Sequence, residues 1–366
     1  MMKKKTPLLA IAALVVIGLA WLTVSHEKSS TTIAQSDTLL AVGLKEKLND
    51  LTRIELSRGE QKVTLQQSDN GWNIKEKYNY PADIGKVRNL TVSLASSTLK
   101  EKKTKQKERY EKLGLDEESA TRVVLYTDDE APISDVYIGN QMSQLDGTYI
   151  YREGEDQTWL VSGKFAADIK AEDWLNTELF SIERKRVRNI TIDHPKEKTV
   201  KSARESKDQT DYTLSDVPSG RKVSSQYSIN NLASALENVE LEGVIPAKDF
   251  SFDKDKTINT TVQSFDGLEA FIQLMEKDGK KWAVFDLAFK EFLVESEKEE
   301  KKGEKSEEKE NMTPIPPGSE TRQEIERITP KLSGWVFALP DYKYGLLTKK
   351  MDDLTEEEKQ EKDKDE

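Results

Sequence analysis

Leu51-Thr-Arg-Ile54-Glu-Leu56, then Val63-Thr-Leu65, then Trp72-Asn-Ile74, is the stretch whose reading decides the fold. Apolar and polar residues alternate, so each segment can bury one face as a strand. Arg58-Gly59 and Asn70-Gly71 stand where the chain must turn. The pattern predicts an antiparallel meander broken by Tyr80-Pro81. A helix follows, N-capped by Asp83, with apolar positions at Ile84, Val87, Leu90 and Leu94.

Further along the chain the same order returns. Val187-Arg-Asn-Ile190-Thr-Ile192 matches Leu51 to Leu56, and Tyr212-Thr-Leu214 takes the place of Trp72 to Ile74. The helix positions Val87, Leu90, Leu94 and Leu99 share their spacing with Ile229, Leu232, Leu236 and Leu241. Tyr149-Ile-Tyr151 and Trp159-Leu-Val161 have counterparts in the strands around Trp282-Ala-Val284 and Trp335-Val-Phe337, and Asp173-Trp174-Leu175 is echoed more weakly by Asp352-Asp353-Leu354. The matching positions are those that would face a core, so duplication explains them better than shared function does. The expected fold class is α+β, with two tandem repeat-like units of mostly antiparallel sheet and packed helices. Their expected bounds are 47–185 and 186–355, meeting near Arg184-Lys185-Arg186.

The chain has 366 residues and a net charge of −11, with 36% apolar and 34% charged residues. Residues 295–310 carry −3 and residues 352–366 carry −6, so the rest is close to neutral and a broad basic face for nucleic acid is not expected. The one basic run, Lys100 to Arg109, has six bases and two acids. It reads as a solvated helix face or an edge strand guarded by lysines. There is no cysteine, which excludes disulfides, thiol nucleophiles and cysteine metal sites. Residues 295–318 are charged and then proline-rich, with no apolar period, and predict a disordered surface insertion in the second unit. The acidic tail 356–366 is read the same way.

The N-terminus predicts a membrane anchor. Lys3, Lys4 and Lys5 precede an uncharged stretch from Pro7 to Val24, eighteen residues long. As a helix it reaches about 27 Å, close to the hydrocarbon thickness of a bilayer. The lysines hold the N-terminus in the cytoplasm and place the body outside. A signal-peptide cleavage site is poorly formed, because Ala20-Trp21-Leu22 ends in a large residue and Thr23-Val24-Ser25 is marginal. The expectation is a single-pass protein of the inner membrane with anchor 1–26, stalk 27–46 and a periplasmic or extracytoplasmic body.

Two runs carry a family resemblance. Leu113-Gly-Leu115-Asp116, followed by Arg122-Val-Val-Leu125 and Val136-Tyr-Ile138-Gly139, is one; Lys331-Leu-Ser-Gly-Trp335-Val-Phe337-Ala-Leu-Pro340-Asp-Tyr342-Lys is the other. Both are similar to the bacterial domain-of-unknown-function family 4340. The resemblance implies N-terminally anchored envelope proteins, often encoded beside ABC-transporter subunits and a gliding-motility-type auxiliary protein. It brings no catalytic residue.

The residues offer little chemistry of their own. None of the pairs Gly85-Lys86, Gly163-Lys164 and Gly279-Lys280 is followed by Ser or Thr, so no phosphate loop is present. Asp253-Lys-Asp255 lacks the glycine and glutamate that a calcium loop needs, and Ser97-x-x-Lys100 and Ser219-Gly-Arg-Lys222 lack the companion motifs of serine–lysine enzymes. Asp128-Asp129-Glu130 is the best carboxylate cluster and reads as a polar turn. His194, before Pro195, reads as a turn residue, and Trp72, Trp159, Trp282 and Trp335 as core anchors. No catalytic, cofactor-binding or metal-ligating residue is assigned, and no cofactor is expected. The expected role is a non-enzymatic accessory or scaffold of an ABC-transporter complex, with a permease or auxiliary subunit as partner. The alternatives are a cell-wall or polysaccharide-binding module and a carboxylate-based hydrolase. A deep cleft with two carboxyl groups within about 10 Å would speak for the hydrolase. An apolar groove lined by exposed Trp or Tyr would speak for glycan.

Overall fold

The computed structural model describes residues 38–142, 146–294 and 318–358. The expected anchor, the stalk up to residue 37, the insertion up to residue 317 and the tail beyond Glu358 lie outside the described residues. Among the described residues, no helix is long and apolar enough to cross a membrane. The architecture is mixed α+β, mostly antiparallel sheet with a few helices.

Strands β1 (Arg53–Arg58), β2 (Gln61–Ser68), β3 (Gly71–Ile74) and β4 (Tyr80–Pro81) precede helix α1 (Ile84–Ser96) and strand β5 (Leu99–Lys102). Then come β6 (Thr121–Tyr126), β7 (Ser134–Met142), β8 (Gly147–Arg152) and β9 (Trp159–Ser162). The next stretch holds β10 (Glu178–Phe180), β11 (Val187–Asp193), β12 (Val200–Ala203), β13 (Thr213–Leu214), β14 (Arg221–Val223) and helix α2 (Gln226–Leu232). Strands β15 (Val239–Glu240), β16 (Gly243–Pro246), β17 (Ile258–Ser264), β18 (Leu268–Lys277) and β19 (Lys280–Phe289) follow. Helix α3 (Ser319–Leu332), β20 (Trp335–Ala338), α4 (Asp341–Leu347), α5 (Met351–Leu354) and β21 (Thr355–Glu357) close the order.

Two compact units form, and their bounds differ from the expected cut at 185/186. Unit 1 comprises Met1–Gln61 and Arg88–Ala167; unit 2 comprises Lys62–Val87 and Asp168–Glu366. Segment 62–87 goes with unit 2 because it packs there: the Tyr80 ring meets Trp335 edge-on at 5.2 Å, and Ala82 bridges Leu175.

In unit 1 the strands run β1-β6-β7-β8-β9-β5, each neighbour antiparallel. The alternation read from the sequence is the reason: Ile54, Leu56, Val123, Leu125, Val136 and Ile150 fall on the buried face. Residues 38–46, expected in the stalk, belong to this fold instead. Leu40 and Leu44 are buried, Leu40 N–H bonds Ser97 O, and Arg152 donates to Leu40 O at 2.9 Å. The polar composition of 27–46 hid three leucines spaced to fill a core edge. Strand β5 ends the run and pairs with β9 alone, with Lys100 and Lys102 exposed on it. The basic run therefore begins as a lysine-guarded edge strand.

Unit 2 holds the antiparallel meander β2-β3-β4 and an eight-stranded sheet in the order β13-β12-β11-β17-β18-β19-β20-β16. Tyr80-Pro81 does not break the meander: it forms β4, paired with Asn73 and Ile74. A proline is tolerated there because β4 is an edge, where its missing N–H is not needed by a neighbour. Asp83 caps α1 as expected, accepting the Gly85 and Lys86 N–H groups at 2.8 and 3.2 Å. The hairpin between β18 and β19 turns on Asp278-Gly279, both at positive φ (54° and 71°), the geometry a two-residue turn of this kind requires. Strand β21 carries pairing into the expected acidic tail, as far as Glu357.

The run β11-β17-β18-β19-β20-β16 has the strand order of β1-β6-β7-β8-β9-β5. Registers agree too. Ile54 faces Leu125 as Ile190 faces Val262, and Leu99 N–H bonds Thr38 O as Leu241 N–H bonds Thr177 O. One expectation needs correction. Leu99 and Leu241 lie beyond the helices: α1 ends at Ser96, and the second helix passes into a 3-10 turn ending at Leu236. The strands around Trp282 and Trp335 stand where those of Tyr149 and Trp159 do, and within them the ladders place Trp159 opposite Ile150 and Phe337 opposite Ala283.

Candidate functional site

Unit 1 contains a recess of about 750 Å³ on the solvent side of its sheet. Its floor is a row across adjacent strands. Ser57 of β1 faces Arg122 of β6, Arg122 faces Tyr137 of β7, and Tyr137 faces Tyr151 of β8. Strand alternation puts these side chains opposite the buried Val123, Val136 and Ile150. The row spaces its rings by the strand separation, so they stack. Tyr137 and Tyr151 lie 4.3 Å apart and nearly parallel, at 6°. Arg122 lies over the other side of Tyr137 at 5.5 Å, and Tyr110 covers Tyr151 at 5.2 Å.

Arg122, Arg58 and Tyr110 are held by polar partners. Arg122 grips Asp135 with two hydrogen bonds of 2.9 and 2.6 Å, the bidentate form a guanidinium favours. Those bonds push its pKa further up against the opposing effect of burial. Arg58 donates to Thr121 Oγ1 at 3.1 and 2.5 Å. The Tyr110 hydroxyl donates to Asp156 O at 2.6 Å. Burial, then the nearby Glu153, push the Tyr137 phenol up to about 12. Burial raises Tyr151 in the same direction, followed by the charges of Tyr137 and Glu153.

The first of the family-like runs lies at this place. Tyr110 O accepts the N–H groups of Leu113 and Leu115, so the Leu113-Gly-Leu-Asp turn carries the Tyr110 ring. Gly114 closes that turn with φ +64°, a conformation suited to glycine. Gly139, next to Tyr137 and Ile138, fits against it closely: a Cβ there would lie 2.4 Å from Leu113 O and 2.8 Å from Gly114 O. Asp116 ends the turn with Oδ1 accepting the Glu118 and Ser119 N–H groups, at 3.2 and 3.1 Å. The Ser119 side chain hydrogen-bonds the same carboxylate and, with these backbone N–H groups, holds its pKa below the usual range. The walls carry carboxylates, among them Glu117, Glu153 and Glu155, beside the cations Arg58 and Lys107.

No equivalent row exists in unit 2. The ladder places Asn259, Gln273 and Val284 where Arg122, Tyr137 and Tyr151 stand. The cores of the two sheets agree and this solvent-facing row does not.

The other candidates take structural places. Asp128, Asp129 and Glu130 are exposed in the link between β6 and β7, as a polar turn should be. His194 Nε2 meets Lys349 O at 3.1 Å just past the end of β11. Ser97 is buried and its hydroxyl bonds Ser162 O, while Lys222 pairs with Glu356. Trp282 is buried; Trp72, Trp159 and Trp335 are half-buried; the most enclosed indole is Trp174. Among the described residues, no group of three or more His, Cys, Asp or Glu is placed to hold a metal ion. In the closing run, Lys343 is buried and reaches Glu237 O at 2.5 Å, which holds α4 to the 3-10 turn after α2. Burial lowers its pKa, against the nearby charges of Glu237 and Glu240.

No curated protein and no solved structure matches the chain. The match to a family described as "Domain of unknown function (DUF4340)" covers residues 72–256, just over half the chain, and takes in nearly all of the recess while stopping short of the closing run. The chain belongs to that family.

Proposed function

We propose that this chain is a non-enzymatic, membrane-anchored envelope protein that works by binding, as an accessory or scaffolding component of an ABC-transporter complex. The observation that carries the binding role is the unit 1 recess. Arg122, Arg58 and Tyr110 are tied to Asp135, Thr121 and Asp156, which suits holding a ligand in one geometry more than moving protons or electrons. The shared strand order of the two sheets is read as tandem duplication. Duplication doubles the fold, and the row in the first sheet is then a later specialisation. The apolar stretch from Pro7 to Val24 behind three lysines supports the anchor and the extracytoplasmic placement. The transporter context rests on the family resemblance.

Affinity purification of the full-length chain from membranes in mild detergent tests the proposal. A transporter permease or auxiliary subunit should accompany it in fixed ratio, and the chain should stay with membranes after an alkaline carbonate wash. A soluble mature chain beginning near His26 overturns the anchor. Recovery without any transporter subunit overturns the accessory role.

A further inference from the structure

We propose that the unit 1 recess is a binding site for a neutral saccharide. This deepens the binding role proposed above and rests on it. Five observations lead to the ligand class. First, the size suits a small polar molecule or a short oligomer, since ligand sites generally span about 300–1,000 Å³.

Second, the lining is mixed in sign. Arg58 and Lys107 stand among Asp116, Glu117, Glu153 and Glu155. A cationic ligand meets the guanidinium and the ammonium, and an anionic one meets the carboxylates. Sugar hydroxyls both donate and accept, so one neutral molecule can satisfy both kinds of group.

Third, the tyrosines offer hydroxyls rather than faces. Tyr137 lies between Arg122 and Tyr151, and Tyr151 between Tyr137 and Tyr110. Tyr137 and Tyr151 cover one face of each other and the Tyr110 ring leans on Tyr151 at 42°, so the row presents mainly edges and hydroxyls, and recognition proceeds by hydrogen bonds more than by a flat aromatic platform. The Tyr137 and Tyr151 phenols are protonated at neutral pH, as any tyrosine is, and burial moves them further from ionising.

Fourth, Asp116 at the wall of the recess keeps an ionised carboxylate, its pKa lowered first by its hydrogen bond to the Ser119 side chain, and so stands there as an acceptor for a ligand hydroxyl. Fifth, the row is absent from the second sheet, where Asn259, Gln273 and Val284 occupy its positions. The fold does not need these side chains; the site does.

The test is calorimetric titration of the full-length chain in mild detergent. The probes are short neutral oligomers of glucose, mannose and N-acetylglucosamine, with oligogalacturonate and oligoglucosamine as charged controls and a lysine-containing peptide as a third. One neutral oligomer should bind, and the charged oligomers and the peptide should not. Tyr151→Phe and Tyr137→Phe keep the stack and remove one hydroxyl each. Each should weaken binding about five- to tenfold, the effect of one hydrogen bond, in a variant that still melts cooperatively as a folded protein. Tighter binding of a charged oligomer or the peptide overturns the proposal, as does neutral-oligomer binding that both Phe variants leave intact. Absence of any saccharide binding while transporter subunits still co-purify sinks the saccharide assignment and leaves the accessory role standing. Saccharide binding without co-purification does the reverse.

Discussion

Gly139→Ala isolates the contact on which the recess depends. A methyl at this position lies 2.4 Å from Leu113 O, 2.8 Å from Gly114 O and 2.8 Å from the Leu115 side chain. Two of these three neighbours are backbone carbonyls of a turn fixed by the left-handed Gly114, so they cannot swing aside as a side-chain tip can. Overpacking of this kind costs about 1–3 kcal/mol. It outweighs the gain of about 0.5–1 kcal/mol from replacing a strand glycine by alanine. Gly243→Ala is the matched control. Gly243 lies in β16, has no positive φ, and its added methyl meets only the Ala338 methyl at an ordinary 3.5 Å. That variant should be neutral or slightly more stable. Scanning calorimetry should show the Gly139→Ala transition lower by about 2–4 °C per kcal/mol, with no fall for Gly243→Ala. The turn carries Tyr110, so the Gly139 variant should also lose protection of the Tyr110–Leu115 amides in hydrogen exchange. A Gly139→Ala protein as stable as the parent, with those amides still protected, would refute the idea that this close approach holds the turn.

Three further outcomes are expected. The Tyr137 phenol, raised from 10.0 to about 12, contributes stability that is complete below pH 10 and fades as pH rises toward 12; ultraviolet titration should show it ionising well after exposed tyrosines. In unit 2, Arg186 bonds Asp266 at 2.7 Å and holds Glu324 of α3 with two bonds of 3.0 and 2.6 Å. Glu324→Ala leaves a mostly enclosed guanidinium with half its partners and should cost about 1–3 kcal/mol in urea unfolding, a loss that Glu324→Gln should recover in part. Asp83→Ala removes the side-chain acceptor at the start of α1 and should cost about 1 kcal/mol, seen as lower helical ellipticity on warming.

Much of the fold is legible in the sequence because the signals are local. Alternation at Leu51–Leu56 and Val187–Ile192, the Asn70-Gly71 turn and the Asp83 cap each act within a few residues. The helix after Ser225 is over-read, since equal leucine spacing cannot show that Asn238 turns to positive φ and hands Leu241 to a sheet. The recess is harder because its residues meet only through register. The exposed turn at Asp128–Glu130 held the signal: folding the chain about it lays Arg122 opposite Tyr137, and a second fold lays Tyr137 opposite Tyr151. A turn recognised but not used as a mirror leaves those three residues apart.

The same register separates what the two sheets share from what they do not. Inner-face positions are mostly apolar in both, as at Ile54 and Ile190 or Leu125 and Val262, where losing a buried large side chain costs several kcal/mol; Thr260, at the place of Val123, is a buried exception. Outer-face positions escape that constraint, and in the second sheet they carry the polar and branched side chains of an ordinary strand surface: Asn259, Gln273, Val284. The first sheet instead sets an arginine and two tyrosines in line, brings Tyr110 over the end of the line, and encloses the group between Arg58 and the Glu153–Asp156 loop. Within that line the rings cover one another: Tyr137 stacks on Tyr151 at 4.3 Å, Tyr110 leans on Tyr151 at 5.2 Å, and Arg122 lies against Tyr137, so the row is a packed set rather than separate surface residues.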